Sequence, residues 1–194
     1  MQNDYEFHQL FTSRLELRLI TPEHLLSLAD ETFDNSLLEE FGFSNPCNVL
    51  VEGPSPVRWR APQVSQDVKL NRWFIRWIIL QETKEVVGSI SFHSKPDSNG
   101  MIEIGLGIAP EFQNRGYATE ALVAMWNWVA TQPKVKTLRY TVSPENGPSQ
   151  KIIAKFGFTH VGVQIDDEDG PEDIYEMSAD AWRDSDLNFG SGNA

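Results

Sequence analysis

Ile102-Glu103-Ile104-Gly105-Leu106-Gly107-Ile108, then Ala109-Pro110-Glu111-Phe112, then Gln113-Asn114-Arg115-Gly116-Tyr117-Ala118, read as a strand, a short link and a turn that opens a helix. Ile102, Ile104, Leu106 and Ile108 recur with period two and mark one face of a strand running from Met101 to Ala109. The other face carries Glu103, Gly105, Gly107 and Ala109, where only Glu103 has bulk, so it leaves room for a ligand. From Gly116 to Ala130 the apolar positions Ala118, Ala121, Leu122, Met125, Trp126 and Val129 recur at the spacing of one helix face, and Gln132-Pro133 ends the run. Amide groups in the first turn of such a helix lack intrahelical partners and carry its positive dipole end, which suits a pyrophosphate. A side chain at position 116 would block close approach, Ala118 is small for the same reason, and Arg115 adds charge.

Working outward, Leu15 to Ile20 alternates as a half-buried strand, and Thr21-Pro22-Glu23 opens a helix with a cap and a first-turn proline. Between Gly42 and about Gln66, Pro46, Pro54, Pro56 and Pro62 fall in a stretch with little periodicity, which predicts a long surface loop before a short helical stretch near Asp67. Such loops often belong to substrate sites. Phe74 to Leu80 and Val86 to Phe92 predict an antiparallel hairpin. Leu138, Tyr140 and Val142 predict a strand, and Pro148 and Gly157 suit the start and exit of a second helix. Val161, Val163 and Ile165 predict another strand. An acidic turn from Asp166 to Glu172 then leads to a last strand near Ile174 to Ser178, with residues 184–194 as an unanchored tail.

The 194 residues fit one domain, 1–183, large enough to bury a core without staples. The single cysteine, Cys47, rules out an intramolecular disulfide and a cysteine-based zinc site, and His8, His24 and His160 have no ligand-like spacing, so no metal is expected. The amino terminus lacks the basic and apolar runs of a signal peptide, and no apolar stretch reaches the ~20 residues that cross a bilayer. A cytoplasmic location with nuclear access is therefore expected. A net charge of −12 disfavours nucleic acid and favours cationic partners such as amines, although acidity for solubility alone explains it equally well.

Gln113-Asn114-Arg115-Gly116-Tyr117-Ala118 fits the Gln/Arg-x-x-Gly-x-Gly/Ala pattern, and the chain resembles the GNAT superfamily of N-acetyltransferases. Its extension Thr119-Glu120-Ala121 resembles the Rim-type branch, as do Arg14 to Arg18 with Thr21-Pro22-Glu23. Trp77-Ile78-Ile79 with Val87-Gly88-Ser89-Ile90, Glu103 to Leu106, and Asn146 to Ser149 followed by Lys155 to Phe158 resemble further motifs of that branch in the same order. The resemblance implies an α+β fold with a mixed, mostly antiparallel sheet splayed near its middle and flanked by helices. It implies acetyl-CoA as cofactor and a primary amine as acceptor: a protein amino terminus, a lysine or a small, cationic amine. The pantetheine arm would lie in the splay beside Ile108 and Ala109. The diphosphate would meet Gln113, Asn114, Arg115, Gly116, Tyr117, Ala118 and Thr119.

For chemistry, Glu103 is a candidate to take or orient the proton of an ammonium, or else one half of a cross-strand ion pair. The tyrosine that many family members use to protonate the leaving thiolate falls at Ile153 here, so Ser149 is the candidate donor that the Rim-type resemblance supplies. Asn146 is a candidate cofactor contact, or a helix cap. His93 could act as a base, or sit as a surface histidine at a strand end. Cys47 is expected as a free buried thiol. Arg58-Trp59-Arg60 is expected to serve packing and rim charge. A catalytically silent acyl-CoA-binding module and an interaction domain using the proline-rich segment are the competing functions, and a monomer and a homodimer are both compatible with the sequence.

Overall fold

The alternating segments pair into one sheet. The structure, a computed structural model, describes residues 9–52, 55–166 and 170–187. The tip of the acidic turn at 167–169 and the tail from 188 onward lie outside the described residues. Strands β1 (Leu10–Phe11), β2 (Leu15–Leu19), β3 (Arg76–Leu80), β4 (Val86–Phe92), β5 (Met101–Ile108), β6 (Thr137–Val142), β7 (Thr159–Asp166) and β8 (Gly170–Ser178) lie in the order β1-β2-β3-β4-β5-β6-β8-β7. Every pairing is antiparallel except β5 with β6. Helices α1 (Pro22–Ala29), α2 (Ser36–Glu39), α3 (Val57–Gln66), α4 (Tyr117–Ala130), α5 (Gly147–Phe156) and α6 (Ala179–Arg183) flank it. This is the expected α+β architecture.

The segment expected as a proline-rich loop is corrected: its second half is α3, followed by a 3-10 helix at Val68–Trp73. Val57, Arg60, Ala61 and Val64 form a buried stripe at helical spacing, which the arginine and the internal Pro62 disguise in the sequence. α3 packs with α1 over one sheet face, around Trp77, Ile79 and Val86. α4, α5 and α6 cover the other, where Leu122, Met125, Trp126 and Trp182 meet Ile90, Phe92, Ile102, Ile104 and Leu138.

The parallel ladder between β5 and β6 runs from Met101↔Thr137 to Ile104↔Tyr140 and stops, while both strands continue. β5 holds its register with β4 without interruption from Phe92↔Ile104 to Gly88↔Ile108, so no bulge disturbs the facing of Glu103, Gly105 and Gly107. The irregularity in this hairpin lies instead between β3 and β4, at Ile78/Ile79.

Gly88 makes that close strand approach tolerable, because a Cβ there would lie 2.3 Å from the Gly107 carbonyl oxygen and 3.2 Å from Ile108 Cα, both backbone atoms. Gly88→Ala should therefore cost about 2 kcal/mol or more, the scale of overpacking, and lower the melting temperature by roughly 4–8 °C. Thermal unfolding followed by circular dichroism checks this, and an unchanged midpoint would contradict the packing described.

Candidate active site

The residues after β5 form a 3-10 turn at Pro110–Phe112, and two left-handed residues, Asn114 at φ 59° and Gly116 at φ 82°, then turn the chain into α4. Asparagine tolerates that region and glycine enters it freely, so the sequence places both where the turn needs them. Helices α1, α5 and α6 begin with a side chain capping a first-turn amide, from Thr21, Asn146 and Ser178. α4 begins at Gly116 with no side-chain cap. Gln113 to Gly116 are exposed, and Tyr117, Ala118 and Thr119 follow as the first helical turn. An anion has a place to meet those amides.

A residue that sequence reasoning did not assign to this site stands beside it. Arg14 Nη1 donates to the Arg115 carbonyl at 3.0 Å, its guanidinium stacks over Tyr117 at 4.7 Å, and it pairs with Glu120 at 2.6 Å. Glu120 also accepts from the Thr12 and Ser13 hydroxyls and the Arg14 amide, which ties the β1–β2 turn to the start of α4. Only this pairing across more than 100 residues reveals the role, and no local pattern around Arg14 carries it. Arg115 itself turns back, donating to the Glu111 carbonyl at 3.0 Å and stacking over Phe112.

Beyond the ladder with β6, strand parity decides which peptide groups are free. The Ala109 amide bonds the Val87 carbonyl at 2.8 Å, the Ala109 carbonyl takes the Phe112 amide, and the Glu103 carbonyl takes the His93 amide. The odd-numbered residues thus bond toward β4, and the Leu106 and Ile108 peptide groups face the splay. Gln113 Nε2 bridges to the Ile108 carbonyl at 2.9 Å.

On the opposite side of the sheet an open cavity of about 730 Å³ lies under α3. Its floor is Ser89, Ser91, Gly105 and Gly107, two pairs that face each other across β4 and β5. His93 extends the same row and is 42% exposed. Its Nε2 lies 3.0 Å from where a Gly105 Cβ would stand, so glycine there is what lets the imidazole lie over β5. Its Nδ1 lies 3.4 Å from Glu103 Oε1, which also accepts the Thr141 hydroxyl at 2.6 Å. The Glu103 side chain is 15% exposed, and Arg139, its register partner on β6, pairs with Glu176 instead. Glu103 thus meets the cavity through His93.

Ser149 sits in the first turn of α5, its amide capped by the Asn146 side-chain oxygen at 3.2 Å. The buried Tyr140 phenol lies close to the Ser149 side chain; burial holds the phenol above its ordinary value and the Ser149 hydroxyl works against the rise. Tyr140 was legible only as a strand residue. Ile153 is buried in the core. Cys47 is partly exposed rather than buried, with its sulfur 3.6 Å from Glu111 Oε2, and burial with the Glu111 charge pushes the thiol up and away from nucleophilic chemistry. Arg58, Trp59 and Arg60 line the cavity, which corrects the expectation that they only pack and decorate a rim.

A mixed sheet whose parallel ladder ends early, an uncapped helix start after its fifth strand and an open cavity on the other face are the features of the acyltransferase architecture. A model of the acetyltransferase (GNAT) domain matches residues 14–159, and the chain belongs to that family. It is 30% identical over 154 residues, 77% of this chain and 88% of the relative, to the uncharacterized N-acetyltransferase YjdG of Bacillus subtilis (strain 168). Among solved structures, the ribosomal-protein-S5-alanine acetyltransferase from Vibrio fischeri superposes with a TM-score of 0.63 at 17% identity, covering 90% of this chain and 98% of that one. RimL, a ribosomal L7/L12 alpha-N-protein acetyltransferase solved in complex with coenzyme A, superposes at 0.60 and 18% identity, covering 89% and 99%. At these identities the structures share the fold.

Burial and the neighbouring Arg60 charge pull the His93 imidazole down to about 4, against a smaller opposing pull from Asp166. The folded state therefore favours the neutral ring: the stability it contributes is present above the ordinary pH of about 6.5 and is lost as pH falls toward 4. Proton NMR of the imidazole resonances should show His93 still neutral at pH 5.5, and a midpoint near 6.5 would contradict the burial and Arg60 proximity described.

Proposed function

We propose that the chain moves the acetyl group of acetyl-CoA to a primary amine by direct attack within a ternary complex, in the manner of the Rim-type branch. The observation that supports this best is the abrupt end of the β5–β6 ladder, which opens the sheet beside both the α4 amides and the cavity floor. Bound acetyl-CoA supplies an activated acetyl carbon and a thiolate leaving group. Gly116, Tyr117, Ala118 and Thr119 hold the diphosphate through their amides, with Gln113, Asn114 and Arg115 completing the turn. The Leu106 and Ile108 peptide groups and Ala109 would hold the arm from β5, and Asn146 and Ser149 would contact it from α5. A diphosphate drawn to this turn must overcome an overall charge of −12, so affinity falls with salt.

The amine enters over Gly105 and Gly107. His93 Nε2 would take the proton that the amine loses on acetylation, with Glu103 orienting and supporting the imidazole through Nδ1. Ser149, backed by Tyr140, supplies a proton to the sulfur. The solved neighbours named for ribosomal-protein acetylation support an α-amino acceptor. A lysine acceptor, with its ordinary pKa near 10.4 against about 8, would instead show a rate that climbs further into alkaline pH. Among the described residues no helix is long and apolar enough to cross a membrane, and a cytoplasmic protein with nuclear access remains the proposed setting.

Gly116→Glu, which places bulk and negative charge at a left-handed residue, should weaken acetyl-CoA binding by calorimetry on the order of 100-fold or beyond detection. Undiminished affinity would refute the placement of the cofactor. Glu103→Gln should lower kcat roughly 100-fold while leaving acetyl-CoA affinity unchanged, measured by thiol release against a panel of amines and peptides. A silent acyl-CoA-binding module would bind acetyl-CoA and release no CoA with any amine.

A further inference from the structure

Among the charged residues that line the cavity and that acetyl transfer does not use, Arg60 is the buried one. Arg60 projects from α3 with 7% of its surface exposed, its Nε donating to the Phe92 carbonyl at 2.9 Å and meeting Ser91 Oγ at 3.3 Å. Both partners are neutral, and no carboxylate among the described residues forms an ion pair with it. Glu103 acts on it only at a distance and is already engaged by Thr141 and His93. The contrast with Arg76 is informative. That guanidinium is fully buried beneath Trp128, with all three nitrogens sealed from any partner. The terminal nitrogens of Arg60 carry no protein hydrogen bond either, yet they are not sealed, and the residue lines the cavity.

We propose that Arg60 recognises an oxyanion carried by the acceptor itself, so that the preferred acceptor is an amine with a carboxylate or phosphate only a few bonds from its nitrogen. This rests on the acetyl-transfer reading and narrows its substrate class. A buried cation without a counter-charge is costly, and a guanidinium fork matches carboxylate and phosphate oxygens. The placement sets the span: Arg60 touches Ser91, Ser91 faces Gly105 across the strands, and His93 Nε2 lies over Gly105. The anion site and the proton acceptor are therefore neighbours on one floor. Asp166, which lines the cavity and acts on His93, draws the ammonium end while Arg60 draws the other, so the cavity is polarised to suit a zwitterion. A polyamine, by contrast, would set positive charge against Arg60.

The test compares matched acceptors on the acetyl-CoA-saturated protein: β-alanine with β-alaninamide, O-phosphoethanolamine with ethanolamine, and an Ala-Asp-Ala peptide with Ala-Asn-Ala. Thiol release gives kcat/KM, and calorimetry on the CoA-bound protein gives affinity without turnover. The anionic member of at least one pair should be preferred on the order of 30-fold or more, and which pair responds separates a small carboxylate, a phosphate and a peptide. Arg60→Gln should erase that preference, bringing the two members of the responding pair within about 2-fold of each other whatever their common rate, and Arg60→Lys, which keeps the charge without the fork, should retain part of it. Acetyl-CoA affinity and melting temperature report on folding of both variants, and the wild-type pairs decide the matter if either fails to fold. Equal use of both members in every pair overturns the proposal, as does an equal slowing of both by Arg60→Gln. Should no amine release CoA from a protein that binds acetyl-CoA, acetyl transfer fails as a reading, and a lack of tighter binding for every anionic member then overturns this proposal too.

Discussion

The site depends on where two strands stop pairing. The short ladder between β5 and β6 is the only parallel pairing between named strands among the described residues, and it ends at Ile104↔Tyr140 although β5 continues to Ile108 and β6 to Val142. Unpaired peptide groups inside a protein are unfavourable, so a fold that leaves them facing a splay needs a reason to keep the strands apart. Here the separation is held from both sides: β5 stays in register with β4 and β6 stays paired with β8, each by an unbroken ladder. The strands diverge because each follows its outer neighbour. The opening is thus a property of the whole sheet rather than of one loop.

Most of the architecture was legible because its elements are periodic. The strand from Met101, the helix that follows Gly116 and the exit of α5 at Gly157 follow from period-two and helix-face patterns and from glycine placed where φ is positive. Helix α3 was not legible. An arginine occupies one of its four buried positions and a proline interrupts it, and both break the pattern by which an amphipathic helix is read. The apolar face assigned to the strand from Val161 raises the opposite issue, since Val163 and Ile165 are 62% and 73% exposed at the sheet edge. Alternation marks a strand correctly without saying what covers either face.

The candidate site was legible in part for a related reason. Glu103 and the small residues beside it share one strand, so parity alone assigns them a common face. Their partners come from elsewhere: His93 from the end of β4, Thr141 from β6, Arg60 from α3 and Arg14 from a turn more than 100 residues from the loop it braces. Tyr140 was visible as a strand residue and Ser149 as a helix-start residue, but only the packing of α5 on β6 brings the two side chains close. Local pattern identifies groups that act from one element. It does not identify a constellation assembled from several.

The total charge of −12 is a poor guide to the cavity, because charge at a distance is screened while charge inside is not. Two guanidiniums, Arg60 and Arg76, are buried in this acidic protein, each pulled below its ordinary value chiefly by loss of water. Arg76 is enclosed and acts on nothing but its neighbours. Burial first and the Arg60 charge second hold the His93 imidazole neutral, which keeps it able to accept a proton but also makes it a weak base. An oxyanion seated on Arg60 would cancel part of the field that depresses His93. The imidazole would then bind a proton more readily with the acceptor in place than without it, so the group that recognises the acceptor would also set the strength of the base that serves it.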